Sequence, residues 1–290
     1  MIDTLFLVKP LILKKKRVNK MIKYNESVLE KISSWEDNDI YVVADFDRTI
    51  TSSTSVTSWG ILTASKRMSN EFIQKGEEIY NYYRPIEIDP TIPFSKKNQL
   101  MIEWWNKIII WLGEAGLNKN DIDNLINESN LITFREGAKE FFQSLAVRNI
   151  PIIIISAGLG DAIKHFLKQN GVMFSNVHIV SNFLSYENGV VKGVKGYTIH
   201  SLNKSADLLS KDEQEAIEGR SHIILLGDQI SDIYMVSDAK RAEALKIAFI
   251  PKGNYNEGYK DSFDVLCPSD TSFADLSKEF TLFSLDKMKR

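Results

Sequence analysis

Short, mostly apolar runs alternate with helical patterns along most of the chain. The runs lie at 41–44, 150–155, 177–180, 222–226 and 246–250. Their length and composition are typical of strands buried in a parallel sheet. Residues 183–197, with three glycines, instead favour an antiparallel hairpin. The alternation predicts an α/β fold in which helices cover both faces of a parallel sheet.

Residues 52–129 interrupt this alternation, because their patterns are helical and no strand pattern occurs among them. The helices are predicted at 66–83, 95–111 and 120–128. The segment 84–93 is predicted to be a loop, since it contains three prolines. We therefore expect a helical cap at 52–129, inserted into a catalytic core formed by 25–51 and 130–290.

The first 24 residues are predicted to form an N-terminal arm. The apolar stretch near their start is interrupted by Lys9 and Pro10 and is too short to span a bilayer as a helix. A signal peptide would place its basic residues before the apolar stretch, whereas Lys14 to Arg17 follow it. A contact of this arm with anionic lipid stays open as an alternative.

Composition and charge exclude several classes of protein. The formal net charge of −2 gives no sign of a nucleic-acid partner or a membrane-surface protein. The single cysteine, Cys267, excludes an internal disulfide and a cysteine-based zinc site. We expect a cytoplasmic protein, because a reducing compartment suits this cysteine content. No pattern indicates an oligomeric state.

Two carboxylates follow the first predicted core strand. Asp45 and Asp47 emerge at its carboxyl end, where open α/β sheets bind ligands. Residues i and i+2 of an extended chain point to the same side, so the two groups repel each other and attract a hard cation such as Mg²⁺. An ordinary solvated turn is the alternative for an isolated pair.

Three further groups come directly after predicted strands or at helix starts. Ser156, Ala157 and Gly158 precede a helix and form a potential anion cradle, with a plain tight turn as the alternative. Lys204 supplies a compact positive charge, although most lysines are solvated surface groups. The last group is an acidic pair, Asp228 and Asp232, of which Asp232 also suits a helix N-cap.

The order and spacing of these groups resemble the haloacid dehalogenase superfamily of phosphohydrolases. The four matching motifs are Asp45-Phe46-Asp47-Arg48-Thr49, Ser156, Lys204 and Gly227-Asp228-x-x-x-Asp232. The resemblance implies a Rossmann-like core, an aspartyl-phosphate formed on Asp45, and Asp47 as general acid and base. It also implies Mg²⁺ held by Asp45, Asp228 and the carbonyl of Asp47, with Asp232 supporting the metal shell.

The same resemblance assigns the phosphate-binding residues. They are expected to be Thr49, Ser156, Ala157, Gly158 and Lys204.

A closer resemblance, from about Tyr41 to Asp264, is to the cytosolic pyrimidine 5′-nucleotidase family. It rests on segments that include 86–90, 101–105, 156–161, 180–183, 192–196 and 225–228. It implies a nucleoside 5′-monophosphate substrate and a base-reading role for Glu87. Trp59 and Trp105 are candidates for stacking on the base, and packing within the cap is the alternative for both. The stretch 51–66 departs from the family, which leaves the identity of the base open.

The leading hypothesis is therefore a cytosolic, Mg²⁺-dependent 5′-nucleotidase acting on a small phosphomonoester. A phosphatase of a non-nucleotide metabolite and a phosphotransferase are alternatives, since any well-placed hydroxyl can attack an aspartyl-phosphate. A non-catalytic binding protein is disfavoured, because such a protein has no need of the acid–base group Asp47.

Overall fold

The computed structural model describes residues 22–65, 68–89, 91–128 and 130–283. The predicted arm of residues 1–24 lies outside these ranges except for its last three residues. None of the helices in the described part of the chain combines the length and hydropathy needed to cross a bilayer.

A seven-stranded sheet forms the centre of the structure. Its strands are β1 (Lys23–Tyr24), β2 (Ile40–Ala44), β3 (Ile152–Leu159), β4 (Val177–Asn182), β7 (His222–Gly227), β8 (Leu245–Ile250) and β9 (Val265–Pro268). Their order is β1-β9-β8-β7-β2-β3-β4, and all pairs are parallel except β1 with β9. From β2 the chain adds β3 and β4 on one side and then β7, β8 and β9 on the other. Strand β2 therefore lies at the topological switch point, where open α/β sheets bind ligands.

Both faces of the sheet are buried, as the apolar runs predicted. Val42 and Ile154 belong to the larger apolar cluster on one face, whereas Val43 and Ile153 belong to the cluster on the other. The helices outside 52–129 are α1 (Ser27–Ile32), α6 (Ala138–Val147), α7 (Gly160–Gln169), α8 (Lys211–Ala216), α9 (Asp238–Arg241), α10 (Glu257–Ser262) and α11 (Phe273–Glu279). The predicted α/β class is therefore confirmed.

The chain between the turn after β2 and helix α6 forms a helical insert. Its helices are α2 (Ile61–Ala64), α3 (Asn70–Ile88), α4 (Phe94–Glu114) and α5 (Lys119–Glu128). Helices α3 and α4 pack through stacked rings: Tyr83 lies on Trp104 with centroids 5.7 Å apart, and Phe72 lies on Trp111 at 4.1 Å. Gly76 permits this approach, because a Cβ there would lie 2.7 Å from the Trp111 ring.

The prediction of a loop at 84–93 was wrong for residues 84–88. Helix α3 continues through Pro85 to Ile88, and the amide of Asp89 donates to the carbonyl of Pro85. A proline removes only one helical hydrogen bond, and the packing of the long helix outweighs that loss. Two short segments of the core, Ala206–Leu208 and Ile230–Met235, are 3₁₀ helices.

The predicted hairpin is present as β5 (Leu184–Glu187) and β6 (Val190–Val194). It also contacts the helical insert, because the amide of Val191 donates to the carbonyl of Leu117 at 2.9 Å. The hairpin therefore connects the sheet region with the insert through a backbone hydrogen bond.

A buried arginine fastens the turn after β2 to the C-terminal part of the chain. The Arg135 guanidinium donates to the carbonyls of Thr49 at 2.7 Å, Ser269 at 2.7 Å and Thr271 at 2.8 Å, and also to the carbonyl of Arg48. No sequence pattern singled it out. Buried carbonyls without a donor are costly, so this side chain satisfies four groups at once.

We expect Arg135→Met to lower the free energy of unfolding by about 3 kcal/mol, because methionine fills the space but leaves the carbonyls without donors. Chemical denaturation measures this. Lys168→Met, which removes the same charge from an exposed position of α7, is the control and should change stability by less than about 0.5 kcal/mol. Equal effects of the two variants would contradict the role given to Arg135.

Candidate active site

The acidic groups predicted from distant stretches meet at the carboxyl edge of the sheet. Asp45 follows β2, and its amide donates to the carbonyl of Leu226 in β7 at 3.0 Å. Asp228 follows β7, the neighbouring parallel strand. Adjacent strand ends therefore bring the two carboxylates to one side of the sheet.

Asp45, Asp228 and Asp232 form a buried acidic cluster. Each offers a carboxylate oxygen within 4.8 Å of the others, and they are 5%, 4% and 0% exposed. The amides of Asp228 and Gln229 both donate to Asp232 Oδ2 at 2.9 Å, which orients that side chain. Converging carboxylate oxygens are the ligands that Mg²⁺ prefers, so this cluster fits such an ion.

Lys204 supplies the positive charge within the cluster. Its Nζ lies 2.8 Å from Asp45 Oδ1 and 2.5 Å from Asp232 Oδ1, and the residue is 6% exposed. Burial acts to lower the pKa of Lys204, but the two carboxylates outweigh burial and raise it, so the lysine stays charged.

The pKa values of the Asp45 and Asp228 carboxyl groups lie above their ordinary range. Burial raises the pKa of Asp45 well above its ordinary value, against the opposing charge of Lys204. Burial, with the charge of Asp232, raises the pKa of Asp228 to about 7. The carboxylates repel one another, and their burial leaves little water to screen that repulsion. A divalent cation bound among them would reduce the repulsion.

Asp47 lies apart from the acidic cluster and is held by Ser58. The Ser58 amide donates to Asp47 Oδ1 at 2.8 Å, and its hydroxyl donates to Asp47 Oδ2 at 2.7 Å. The same hydroxyl accepts from the amide of Leu159 at 3.2 Å. Burial raises the pKa of Asp47, and the hydrogen bonds from Ser58 oppose that rise. Whether the Asp47 carbonyl contributes to a metal shell stays a prediction.

Sequence reasoning did not identify Ser58. The residue lies in a segment rich in serine and threonine, in which no spacing distinguishes one hydroxyl from the next. It is fully buried, unlike the exposed loop residue that such composition suggests.

The predicted anion cradle lines the cavity next to the acids. Ser156 is buried, and its hydroxyl accepts from the amide of Gly158 at 3.0 Å. Gly158 must lack a side chain, since a Cβ would lie 2.2 Å from the Ser58 hydroxyl. The Ala157 carbonyl accepts from the amide group of Asn182 at 2.9 Å, which fixes the turn. Helix α7 begins directly afterwards at Gly160.

Thr49 is the one predicted phosphate-binding residue that does not reach the cavity. It is fully buried, is absent from the residues lining the cavity, and gives its carbonyl to Arg135. The turn after Asp47 passes through a left-handed conformation at Arg48, with φ 64°, and then directs Thr49 into the core.

A cavity of about 1000 Å³ lies between this edge of the sheet and the helical insert. Its floor carries Asp45, Asp47, Ser156, Lys204 and Asp228, and its wall is aromatic. The aromatic lining residues include Trp59, Tyr80, Trp104, Trp105, Trp111 and Tyr255. A floor of charged groups under an apolar wall is typical of a site for a small anionic ligand with an aromatic part.

The three predicted substrate-binding residues all line this cavity. Trp59 donates from Nε1 to the Ala157 carbonyl at 2.9 Å, so its ring is anchored to the cradle. Trp105 is 6% exposed, and its Nε1 has no hydrogen-bond partner among the described residues. Glu87 forms an ion pair with Arg84, one helical turn before it.

Comparison with known proteins identifies relatives over most of the chain. The family model described as "Pyrimidine 5'-nucleotidase (UMPH-1)" matches residues 46–279. A human 7-methylguanosine phosphate-specific 5′-nucleotidase is 35% identical over 241 residues, which cover 80% of each chain. The protein of that name from Drosophila melanogaster is 33% identical over 241 residues, covering 79% of this chain and 75% of the relative.

Solved structures agree on the fold. A crystal structure of cytosolic 5′-nucleotidase IIIB bound to cytidine superposes with a TM-score of 0.80 at 30% identity, covering 92% of this chain and 94% of that one. A substrate-bound phosphoserine phosphatase has a TM-score of 0.52 at 19% identity, covering 83% and 98%, and supports the fold alone. The resemblance deduced from the motifs is thus confirmed: the chain belongs to the pyrimidine 5′-nucleotidase (UMPH-1) family and is a phosphomonoester hydrolase of the haloacid dehalogenase fold.

Proposed function

We propose that the protein is a cytosolic, Mg²⁺-dependent 5′-nucleotidase that releases phosphate from a nucleoside 5′-monophosphate. The observation that carries this proposal is the convergence of Asp45, Asp228, Lys204 and Ser156 at the floor of one aromatic-walled cavity. The relatives named as 5′-nucleotidases support it. Residues 52–129 would act as the cap over a core made of 25–51 and 130–290.

Hydrolysis proceeds in two displacements at phosphorus. A carboxylate oxygen of Asp45 attacks the phosphoryl group while the bond to the 5′ oxygen breaks, and Asp47 gives its proton to that oxygen. Asp47 then takes a proton from water as the water oxygen displaces Asp45 from phosphorus. Free phosphate and the nucleoside leave, and both aspartates return to their starting states.

The surrounding residues stabilise the charge that moves during these steps. Ser156 and the cradle at 157–158 hold the phosphoryl oxygens, and Lys204 offsets their negative charge. Mg²⁺ held by Asp45 and Asp228, with Asp232 behind them, would shield the attacking carboxylate from the dianionic substrate.

The aromatic wall suits a nucleobase. Trp105 and Trp59 would stack on the base, and aromatic stacking contributes roughly 1–3 kcal/mol per base. Glu87 would accept a hydrogen bond from an amino group of the base, with Arg84 holding its carboxylate in place. Cytidine in the solved relative and 7-methylguanosine phosphate in the names of others make nucleotides of these two kinds the first to test.

We expect phosphate release from CMP, UMP or 7-methylguanosine 5′-monophosphate in the presence of Mg²⁺, and a loss of at least about a thousandfold in Asp45→Asn, which removes the nucleophile. A phosphate-release assay across nucleotides and sugar phosphates measures both. Equal turnover of sugar phosphates would refute nucleotide specificity. Activity retained by the variant would refute the mechanism.

Binding of Mg²⁺ should depend on pH. The pKa of Asp228 near 7 means that this group carries a proton in acid, and the ion must displace that proton. The dissociation constant should therefore rise about fivefold from pH 7 to pH 6, since the protonated fraction of Asp228 rises from about half to about nine-tenths. Titration calorimetry in buffers of different ionisation enthalpy counts the protons. Asp212→Asn, at an exposed position, is the control; a constant affinity without proton release would contradict the prediction.

Ser58→Ala should shift the pH profile of the reaction. The hydroxyl favours the charged form of Asp47, so its removal raises the pKa of Asp47 further. Because Asp47 must carry a proton for the first displacement, the high-pH limb of kcat/KM should move to higher pH, and kcat should fall about tenfold as the side chain loses its orientation. Ser52→Ala, in the same loop but outside the cavity, should leave both unchanged.

A further inference from the structure

Arg48 has a backbone conformation that its side chain disfavours. Its φ of 64° is left-handed, and the two other non-glycine residues with positive φ in the described part of the chain are asparagines, Asn149 and Asn188. Asparagine tolerates this region, whereas for other side chains it costs about 1 kcal/mol. The conformation is held from both sides, because the Arg48 amide donates to Thr51 Oγ1 at 2.7 Å and its carbonyl accepts from Arg135.

The side chain of Arg48 lies in the active-site cavity. It is half-buried and lines the cavity together with Asp45, Asp47 and Asp228. Its positive charge opposes the rise in pKa that burial causes at Asp47 and Asp228. Yet its guanidinium forms no hydrogen bond or ion pair with any residue in the described part of the chain.

The charges around the cavity indicate a role for a further cationic side chain such as that of Arg48. Four carboxylates lie at or beside the cavity floor near Lys204: those of Asp45, Asp47, Asp228 and Asp232. The lysine is already paired with two of them, Asp45 and Asp232. Even with a divalent cation in the acidic cluster, a phosphate dianion enters a site with little excess positive charge. A guanidinium is always charged, and its planar fork matches two phosphate oxygens.

We propose that Arg48 binds the phosphoryl oxygens of the substrate and of the phosphate product, as a second cation beside Lys204. This inference rests on the proposed phosphatase function and adds to it a residue that sets the affinity for the phosphate group. The left-handed backbone, held by Thr51 and Arg135, is the conformation in which Arg48 lines the cavity.

Replacing Arg48 by glycine separates the effect of its charge from the effect of its left-handed backbone. Arg48→Gly removes the guanidinium and relieves the left-handed strain, and this relief offsets the extra freedom that glycine gives the unfolded chain, so the variant should fold with about the stability of the parent. Asn149→Gly is a matched control, since it relieves a positive φ at a position outside the cavity.

The readout is competitive inhibition of the Mg²⁺-loaded full chain by inorganic phosphate and, separately, by a nucleoside such as cytidine. We expect the inhibition constant for phosphate to rise about tenfold or more in Arg48→Gly, as for a lost charge-assisted hydrogen bond. The constant for the nucleoside should not change. Arg48→Lys should recover part of the phosphate affinity, and Asn149→Gly should match the parent.

Parent-like phosphate inhibition in a stably folded Arg48→Gly would overturn the inference while leaving the proposed function intact. So would an equal weakening of phosphate and nucleoside binding, because that result indicates a distorted cavity. A parent protein that neither hydrolyses nucleotides nor binds phosphate would instead refute the proposed function itself.

Discussion

The structure depends on the buried ion pairs that Lys204 makes with Asp45 and Asp232. Taking each charge out of water costs several kcal/mol, and only close pairing with good hydrogen bonds offsets that cost. The residues of this group come from three separate stretches of chain, and strands β2 and β7 must lie side by side before the carboxylates can meet the ammonium. The site can therefore form only when the parallel sheet has formed. Burying the charges of the site costs free energy, which the packing of the sheet must offset.

The helical insert is coupled to the chemistry through two residues in its first loop. Ser58 bonds to Asp47 and to the amide of Leu159, while Trp59 bonds to the carbonyl of Ala157. The same short stretch therefore orients Asp47, the proposed acid–base group, and joins the cavity wall to the turn at residues 156–158. A change in the position of the insert would therefore change the orientation of the Asp47 side chain.

Sequence patterns predicted the features that arise from local physics. Strand β2 was recognisable because a strand buried on both faces must be apolar throughout. Asp45 and Asp228 were recognisable because ligand-binding residues of open α/β sheets follow the carboxyl ends of the strands. Ser58 and Arg135 were not, since their partners lie across the structure and nothing in their neighbourhood marks them. The helix through Pro85 was missed because long-range ring packing, invisible in a local pattern, compensates for the lost hydrogen bond. The position of Thr49 outside the cavity was not foreseen, because a motif match does not convey the left-handed turn before it, and its phosphate-binding role stays a prediction.

The β5–β6 hairpin makes the insert a poor candidate for a freely swinging lid. Besides its two chain connections to the sheet region, the insert is bound at Leu117 to Val191 of the hairpin. Any outward rotation of the helices must either carry the hairpin along or break that backbone bond. Ligand entry and exit would then require a motion in which the insert and the hairpin move together, and that motion would also have to break or preserve the bonds that Ser58 and Trp59 make to the sheet region.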